Sequence, residues 1–199
     1  SIKHVVLTNR YELPKIKLDK KVIFFREIYS NYSPEKINFK RYDFNHPLYI
    51  LFTSGTTGKP KCIIHRSGGV LLQHVKEQSL HCNIKKGNVV FFYTTSGWMM
   101  WNWLMSNLIL EATIVLYDGS PNFPKIDRLF SLVKKFKINI FGVAAKYIEN
   151  LRNNKIKVAN TRVRSLKAIL STGSPLSSEC FEYVYKNIKR NVHLASVSG

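Results

Sequence analysis

The sequence predicts an α/β domain in which helices flank a largely parallel β-sheet. Short apolar runs of strand length alternate with segments of helical period from Leu48 to the end of the chain. Turn signals separate these segments, most clearly at residues 118–121, Asp-Gly-Ser-Pro. Such alternation favours a parallel sheet, because each strand needs a crossover helix before the next parallel strand can begin. The 199 residues, of which 45% are hydrophobic and 22% charged, suffice for one domain with its own core.

The elements of this domain follow from the spacing of apolar residues. Six apolar runs have the length of strands: residues 48–53, 88–94, 113–117, 139–143, 167–171 and 193–197. Helices are predicted near 69–82, over 98–108 and over 126–136, the last with apolar residues at 126, 129, 130, 133 and 136. In the first of these helices, the residues predicted to share one face are Leu71, Leu72, Val75 and Ser79. Ser177 is predicted to cap a fourth helix that reaches about residue 188, with Glu179 favoured in its first turn by the helix dipole.

The first 47 residues are predicted to be a connecting region. They hold two short apolar runs, at 4–7 and 22–25, followed by the breakers Pro34, Asn45 and Pro47. Residues 48–199 are predicted to form the α/β core, and the chain shows no internal repeat and no low-complexity tract. The last apolar run reaches the final residues with no helix after it, so we expect the core to be truncated at its C-terminal end.

The formal net charge of +19 has three interpretations. A nucleic-acid or membrane-surface partner would explain it, and so would compositional drift toward Lys, Asn and Ile. Drift is favoured over a nucleic-acid partner because the lysines are spread from Lys3 to Lys189 and no nucleic-acid-binding motif accompanies them. A basic cleft that attracts polyanions such as ATP and coenzyme A is the third interpretation.

Cysteine usage and hydropathy bear on the cellular compartment of the protein. Cys62, Cys82 and Cys180 are far apart, odd in number and in no metal-ligand spacing, which favours a reducing compartment. No signal peptide is visible in the sequence given. The most apolar stretch, residues 98–116, is interrupted by Asn102, Asn107 and Glu111. It is therefore predicted to be a buried helix and a strand, and not a membrane span.

One loop carries the chemistry: Thr53-Ser54-Gly55-Thr56-Thr57-Gly58-Lys59-Pro60-Lys61. Its glycines allow backbone N–H groups to approach an anion, the hydroxyl groups add donors, and the two lysines add positive charge. It is predicted to lie between a strand and a helix. This composition is well suited to a polyphosphate.

Two alternatives for this loop can be weighed. A Walker P-loop needs four residues between its glycines and a Ser or Thr after the lysine, whereas here two residues separate Gly55 from Gly58 and Pro60 follows Lys59. A flexible surface loop that happens to be rich in Gly and Thr would explain a generic GxxG. It is disfavoured for a nine-residue string of this composition between predicted elements.

The loop resembles the phosphate-loop signature of the adenylate-forming enzymes, the superfamily of acyl-CoA synthetases, luciferases and peptide-synthetase adenylation domains. Residues 93–103, Tyr-Thr-Thr-Ser-Gly-Trp-Met-Met-Trp-Asn-Trp, resemble the acyl-pocket segment of its acetoacetyl-CoA synthetase branch, and residues 116–121 are similar to the next segment of that branch. Residues 171–176, Ser-Thr-Gly-Ser-Pro-Leu, resemble the adenine-contacting segment of the superfamily. The resemblance is close from about Phe44 onward and implies a piece of the large N-terminal domain.

The resemblance implies a two-step reaction with ATP, Mg²⁺ and coenzyme A. A carboxylate, here acetoacetate, would form an acyl-adenylate and release pyrophosphate, and coenzyme A would then displace AMP. Lys61 would be the catalytic loop lysine. The implied phosphate ligands are Thr53, Ser54, Gly55, Thr56, Thr57, Gly58 and Lys59, and the implied adenine-site residues are Gly173, Ser174 and Pro175. The acyl pocket would be lined by Trp98, Met99 and Met100, although the tryptophans at 98, 101 and 103 could equally be core residues of a buried helix.

Some features depart from the superfamily pattern. Cys62 stands where many members carry Gly, and Ser174 stands where some short-chain acid enzymes carry Glu. The Thr and the acidic residue that would meet ATP and magnesium come beyond Gly199 in the pattern, and so does the C-terminal lid domain with its adenylation lysine. We therefore expect the 199-residue chain by itself to form no acyl-CoA.

Two classes of function stay open. The first is the core of an AMP-forming acid–thiol ligase for acetoacetate, acting in the cytosol on small molecules, with no nucleic-acid partner. The second is a nucleotide-binding remnant or module without turnover. Preference for acetoacetate over butyrate needs a donor to the ketone oxygen, and the candidates are Asn102 and the indole N–H of Trp98 or Trp101. The sequence carries no signal for an oligomeric state.

Overall fold

The computed structural model describes residues 4–7, 21–53 and 58–198, which divide into two units between Arg41 and Tyr42. The first unit contains two short parallel strands, β1 (His4–Leu7) and β2 (Lys21–Phe24), and then helix α1 (Phe25–Ser30). The division into a connecting region up to residue 47 and a core from residue 48 stays a prediction.

The second unit begins with a hairpin. Strand β3 (Pro47–Phe52) pairs in antiparallel fashion with β4 (Cys62–Arg66), and the phosphate-loop segment joins them. The predicted strand–loop–helix order is therefore wrong at this point, because a second strand separates the loop from the next helix. The run Cys62-Ile63-Ile64 is apolar and contains two β-branched residues, which suits a strand. This strand pairs with β3 to form the hairpin.

The main sheet has five parallel strands, which confirms the predicted α/β class. They are β5 (Val89–Phe92), β6 (Thr113–Val115), β7 (Ile140–Ala144), β8 (Ala168–Thr172) and β9 (His193–Ser196). Their order across the sheet is β6-β5-β7-β8-β9, with every neighbouring pair parallel. The chain thus runs outward from β5 to β6, returns to β7 on the other side, and continues to β9.

Five helices accompany these strands, and four of them lie near predicted positions. Helix α2 (Ser67–Lys76) continues into a π-helical turn, Glu77–His81, and α3 (Met99–Ser106) continues into a 3-10 turn, Asn107–Leu110. The remaining helices are α4 (Arg128–Phe136), α5 (Ala145–Asn153) and α6 (Ser178–Asn187), with a short 3-10 turn at Asn160–Arg162. The predicted cap of α6 is confirmed, since the Ser177 side chain accepts a hydrogen bond from the Cys180 N–H.

Two hydrophobic clusters lie on opposite faces of the sheet. Successive side chains of a strand point to opposite faces. Phe91 and Phe141 therefore join the cluster packed by α4, α5 and α6, whereas Phe92 and Leu170 join the cluster packed by α3. This second face, which carries Trp103, is the one on which the candidate site forms.

The structure corrects two further expectations. Helix α5 is absent from the predicted elements, although Tyr147, Ile148 and Leu151 are buried at helical spacing. In α2 the predicted apolar face is wrong: Leu71 and Leu72 are 47% and 63% exposed. The buried side chains of that segment are His74 and Gln78, and Gln78 donates hydrogen bonds to Trp103 and Ser106 of α3. Within the described residues, no helix combines the length and apolar character that crossing a membrane would need.

Candidate active site

A cavity of about 1240 Å³ lies beside the sheet, between α2, α3 and the loops that follow β8 and β9. Phe92, Thr172 and Ser196, at the carboxyl ends of β5, β8 and β9, all contribute to its lining. Strand order reverses between β5 and β7, since the connections from these neighbours run in opposite directions. Open α/β sheets bind ligands outside the carboxyl ends of their strands at such a reversal.

The predicted acyl-pocket residues Trp98, Met99 and Met100 all line this cavity. Trp98 has an extended backbone, precedes the first turn of α3 and packs, partly buried, against the cluster that contains Trp103. The Phe92 ring contacts both indoles edge to face, with centroids 5.8 Å from Trp98 and 6.1 Å from Trp103. These aromatic contacts fix the apolar wall of the cavity.

The predicted adenine-site residues Gly173, Ser174 and Pro175 line the same cavity. Gly173 turns the chain after β8 with a φ of 88°, a left-handed conformation that favours glycine. A Cβ atom built at Gly173 would lie 3.8 Å from Cζ2 of Trp98. Two segments that are far apart in sequence therefore meet across one cleft.

The phosphate loop is described only at its ends. Its base is closed by two hydrogen bonds, from the Thr53 N–H to the Lys61 carbonyl oxygen and from the Lys61 N–H to Thr53 Oγ1, each 3.0 Å long. Ser54, Gly55, Thr56 and Thr57 lie outside the described residues. Among the loop residues that are described, Thr53, Gly58, Lys59 and Lys61 are exposed and do not contribute to the cavity lining. Strand β4 nevertheless leads from the loop to Ile64, His65 and Arg66, which do contribute.

Sequence reasoning missed the polar wall of the cavity, which is formed by Gln73, His74 and Glu77 of α2 and its π-helical turn. Each carboxylate oxygen of Glu77 accepts a hydrogen bond, Oε1 from Gln73 Nε2 at 2.6 Å and Oε2 from Trp103 Nε1 at 3.2 Å. The neighbouring Gln78 is fully buried and donates to the Trp103 carbonyl oxygen at 2.8 Å and to Ser106 Oγ at 2.7 Å. Contacts to α3 thus turn the polar side of α2 inward.

A signal for this wall is present in the sequence. Gln73, His74, Glu77 and Gln78 repeat at the i, i+3 and i+4 spacing of one helix face. The apolar pattern alone does not reveal this face, because it assigns the buried side of the helix to the leucines. π-helical turns inside helices are frequent at functional sites, and this one begins at Glu77.

Burial and charge set the protonation states along this wall. The pKa of His74 is lowered mainly because the ring is buried; His65 also lowers it, and the Glu77 carboxylate opposes both effects. His74 Nδ1 is buried and has no hydrogen-bond partner among the described residues. Burial, with a smaller contribution from Glu77, raises the pKa of the Cys82 thiol to about 11. Cys82 is therefore a protonated wall group at neutral pH, and not a nucleophile.

Across residues 4–7, 21–53 and 58–198, no group of three or more His, Cys, Asp or Glu side chains is arranged to hold a metal ion.

Comparison with known proteins identifies the class. A family model described as AMP-binding enzyme matches residues 7–195, and the chain belongs to that family. Within it, the chain is 52% identical over 162 residues to an acetoacetyl-coenzyme A synthetase of Rhizobium meliloti, an alignment that covers 81% of this chain. It is also 41% identical over 180 residues, or 83% of this chain, to a malonamoyl-CoA synthetase of Penicillium aethiopicum.

A solved structure agrees with these sequence relatives. The acetoacetyl-CoA synthetase from Streptomyces lividans matches 98% of this chain with a TM-score of 0.81 and 33% identity. The chain spans 25% of the length of each of the two curated relatives and 30% of the solved structure. The activity of the whole relatives therefore applies to this chain only as a proposal.

Proposed function

We propose that this chain is part of an AMP-forming acid–thiol ligase that converts acetoacetate, ATP and coenzyme A to acetoacetyl-CoA in the cytosol. The observation that carries the proposal is the single cleft in which Trp98, Met99 and Met100 meet the loop Gly173, Ser174 and Pro175. An acyl group and a nucleotide must lie side by side for the carboxylate to reach the α-phosphorus, and this cleft offers room for both.

The chemistry has two balanced steps. A carboxylate oxygen attacks the α-phosphorus of ATP, a P–O bond to the β-phosphate breaks, and pyrophosphate leaves with its electron pair. The thiol of coenzyme A then loses its proton to solvent as its sulfur attacks the acyl carbon of the adenylate, and AMP leaves with the electron pair of the broken C–O bond. Magnesium enters as the counter-ion of ATP, carried by the nucleotide phosphates.

The proposed task of the loop is to disperse charge on the departing pyrophosphate. The residues assigned to the phosphates are Thr53, Ser54, Gly55, Thr56, Thr57, Gly58 and Lys59, with Lys61 as the catalytic cation. Preorganised N–H groups and a lysine aimed at developing charge lower the barrier without reorganisation at the moment of reaction. The two hydrogen bonds between Thr53 and Lys61 support this assignment, because they hold the backbone of Lys61 at the base of the loop.

The proposed substrate class is a short 3-oxo acid. The names of the relatives include acetoacetyl and malonamoyl groups, and both groups carry a second carbonyl at the third carbon of the acid. The cleft supports this class by its composition. Trp98 and Met100 contribute bulky apolar side chains to the lining, while Gln73 and Glu77 give a polar wall that a plain alkyl chain could not use.

A nucleotide-binding remnant without turnover is the competing function. The test uses protein expressed from the complete reading frame that encodes this chain. Acetoacetate-dependent exchange of labelled pyrophosphate into ATP, together with acetoacetyl-CoA formation once coenzyme A is added, is the expected result. Binding of ATP with neither exchange nor thioester formation would contradict the ligase and support the remnant.

A further inference from the structure

The polar wall of the cleft contains one side chain with unused hydrogen-bonding capacity. His74 is 6% exposed, contributes to the cavity lining, and has a buried Nδ1 with no hydrogen-bond partner among the described residues. A neutral imidazole carries its proton on one of its two nitrogens. Because Nδ1 has almost no accessible surface, Nε2 is the nitrogen that can donate to a molecule in the cleft.

The donors next to His74 are already engaged, and Gln78, whose Oε1 also lacks a partner, does not contribute to the cavity lining. The Gln73 amide and the Trp103 indole N–H both donate to the Glu77 carboxylate, which is thereby fixed in place. Of the donors predicted from the sequence, Asn102 and Trp101 do not contribute to the lining of the cavity, whereas Trp98 does. Trp98 is therefore the sequence-predicted donor with which His74 competes for a ligand oxygen.

The Glu77 carboxylate also decides which end of a substrate faces this wall. Like charges repel in a partly buried cleft, so the carboxylate of an acid substrate is directed away from Glu77. Arg66, which also contributes to the lining, offers that carboxylate an opposite charge. The distal part of the acyl group consequently faces α2, where a neutral oxygen can accept a hydrogen bond.

We infer that His74 is the specificity-determining donor of this cleft, giving a hydrogen bond to the 3-oxo oxygen of the acyl substrate while Glu77 orients the wall around it. The inference rests on the proposed function, since it assumes that a 3-oxo acid is activated here. A site built to hydrogen-bond an oxygen discriminates against an analogue that lacks it far more strongly than an apolar pocket can, because its buried donor is then left unpaired. His74 would in this way separate acetoacetate from butyrate, which has the same number of carbons.

The test compares specificity constants for acetoacetate and butyrate in the protein from the complete reading frame. In His74→Ala we expect the constant for acetoacetate to fall by about 10–100-fold, the size of one lost hydrogen bond to a buried partner. The specificity constant for butyrate should change by no more than about threefold, since butyrate lacks the 3-oxo oxygen and forms no such hydrogen bond. His74→Gln keeps a side-chain hydrogen-bond donor at a similar distance from the backbone and should recover part of the preference for acetoacetate over butyrate.

Matched controls separate the possible failures. His46→Ala removes a histidine that stacks on Tyr42 outside the cleft lining and should leave both constants unchanged. Trp98→Phe removes the competing indole N–H and should keep the preference for acetoacetate. If Trp98→Phe abolishes the preference and His74→Ala retains it, or if His74→Ala lowers both constants equally, the inference is wrong and the ligase stands. If the unmodified protein activates neither acid, the proposed function is wrong and the inference goes with it.

Discussion

Gly142 of β7 lies directly beside Phe92 of β5, and a Cβ atom at Gly142 would come within 2.0 Å of Phe92 Cδ2. The two residues are paired in the sheet, so the ring of one occupies the space of the missing side chain of the other. The same ring contacts Trp98 and Trp103. A glycine in the middle of the sheet thereby sets the position of the aromatic wall of the cleft.

We expect Gly142→Ala to destabilise the protein by about 1–3 kcal/mol, because Phe92 is 3% exposed and its ring cannot move without disturbing both tryptophans. Urea denaturation would measure the change, and acid activation should fall with it. Gly69→Ala is the matched control, since an added Cβ there meets nothing within 4 Å. Alanine in that helix should be neutral or stabilising by about 0.5–1 kcal/mol. Equal effects of the two substitutions would show that the packing argument is wrong.

Lys61→Ala should lower the rate of pyrophosphate exchange by about 10²–10³-fold, the cost of removing one preorganised donor from a developing negative charge. Its stability should be nearly unchanged, because the side chain is exposed and contributes little packing. Lys59→Ala removes another exposed lysine from the same loop and should have a smaller effect. Exchange at the unmodified rate in Lys61→Ala would show that the phosphate role is misassigned.

Trp98→Ala should extend the range of acids toward longer chains. The indole lines the cleft beside Met99 and Met100, and its removal opens space in the apolar wall. Specificity constants for acetoacetate, butyrate and octanoate would measure this, with octanoate expected to gain by about 10–200-fold relative to acetoacetate. Trp101→Ala, which lies outside the lining, should leave the ratio alone. Equal use of all three acids by the unmodified protein would contradict the assignment to acetoacetate while leaving adenylate formation intact.

The three cysteines should differ in reactivity toward iodoacetamide. Cys62 is exposed and should be alkylated first in the folded protein, whereas Cys180 is buried and should be protected. Because burial and Glu77 raise the pKa of Cys82 to about 11, its reaction should be negligible at pH 8 and rise as pH approaches that value. Glu77→Gln removes the neighbouring negative charge and should speed the labelling of Cys82. Peptide mass spectrometry of native samples would measure the labelling of each cysteine, with a denatured sample as the reference for full reactivity. Rapid labelling of Cys82 at pH 8 would contradict the burial argument.

The raised pKa of Cys82 also predicts a stability effect with a definite sign. The folded state favours the protonated thiol, so this contribution to stability is complete below the ordinary cysteine pKa of about 9 and is lost as pH rises toward about 11. Cys82→Ala should therefore show a shallower loss of stability between these pH values than the unmodified protein. Thermal denaturation at pH 8, 9 and 10 would measure the difference, and parallel curves would contradict it.

Local patterns in the chain predicted most of the elements. The strands β5 to β9 lie within or close to the predicted runs, and α4 and α6 follow from apolar spacing and from the Ser177 cap. The missed helix α5 and strand β4 also carry local signals, in Tyr147, Ile148 and Leu151 and in the apolar run after the loop. The chain therefore contains the local information that specifies these two elements as well.

The sequence by itself determined the alternation of elements and the segments that carry the family resemblance, because these depend on residues close together along the chain. The tertiary structure decided that α2 buries His74 and Gln78 and leaves Leu72 exposed. Burial of a polar side chain depends on finding partners, and the partners of Gln78 are Trp103 and Ser106, 25 and 28 residues away. Only folding brings such partners together, so it was the packing of α2 on α3 that gave the cleft its polar wall and left His74 facing it.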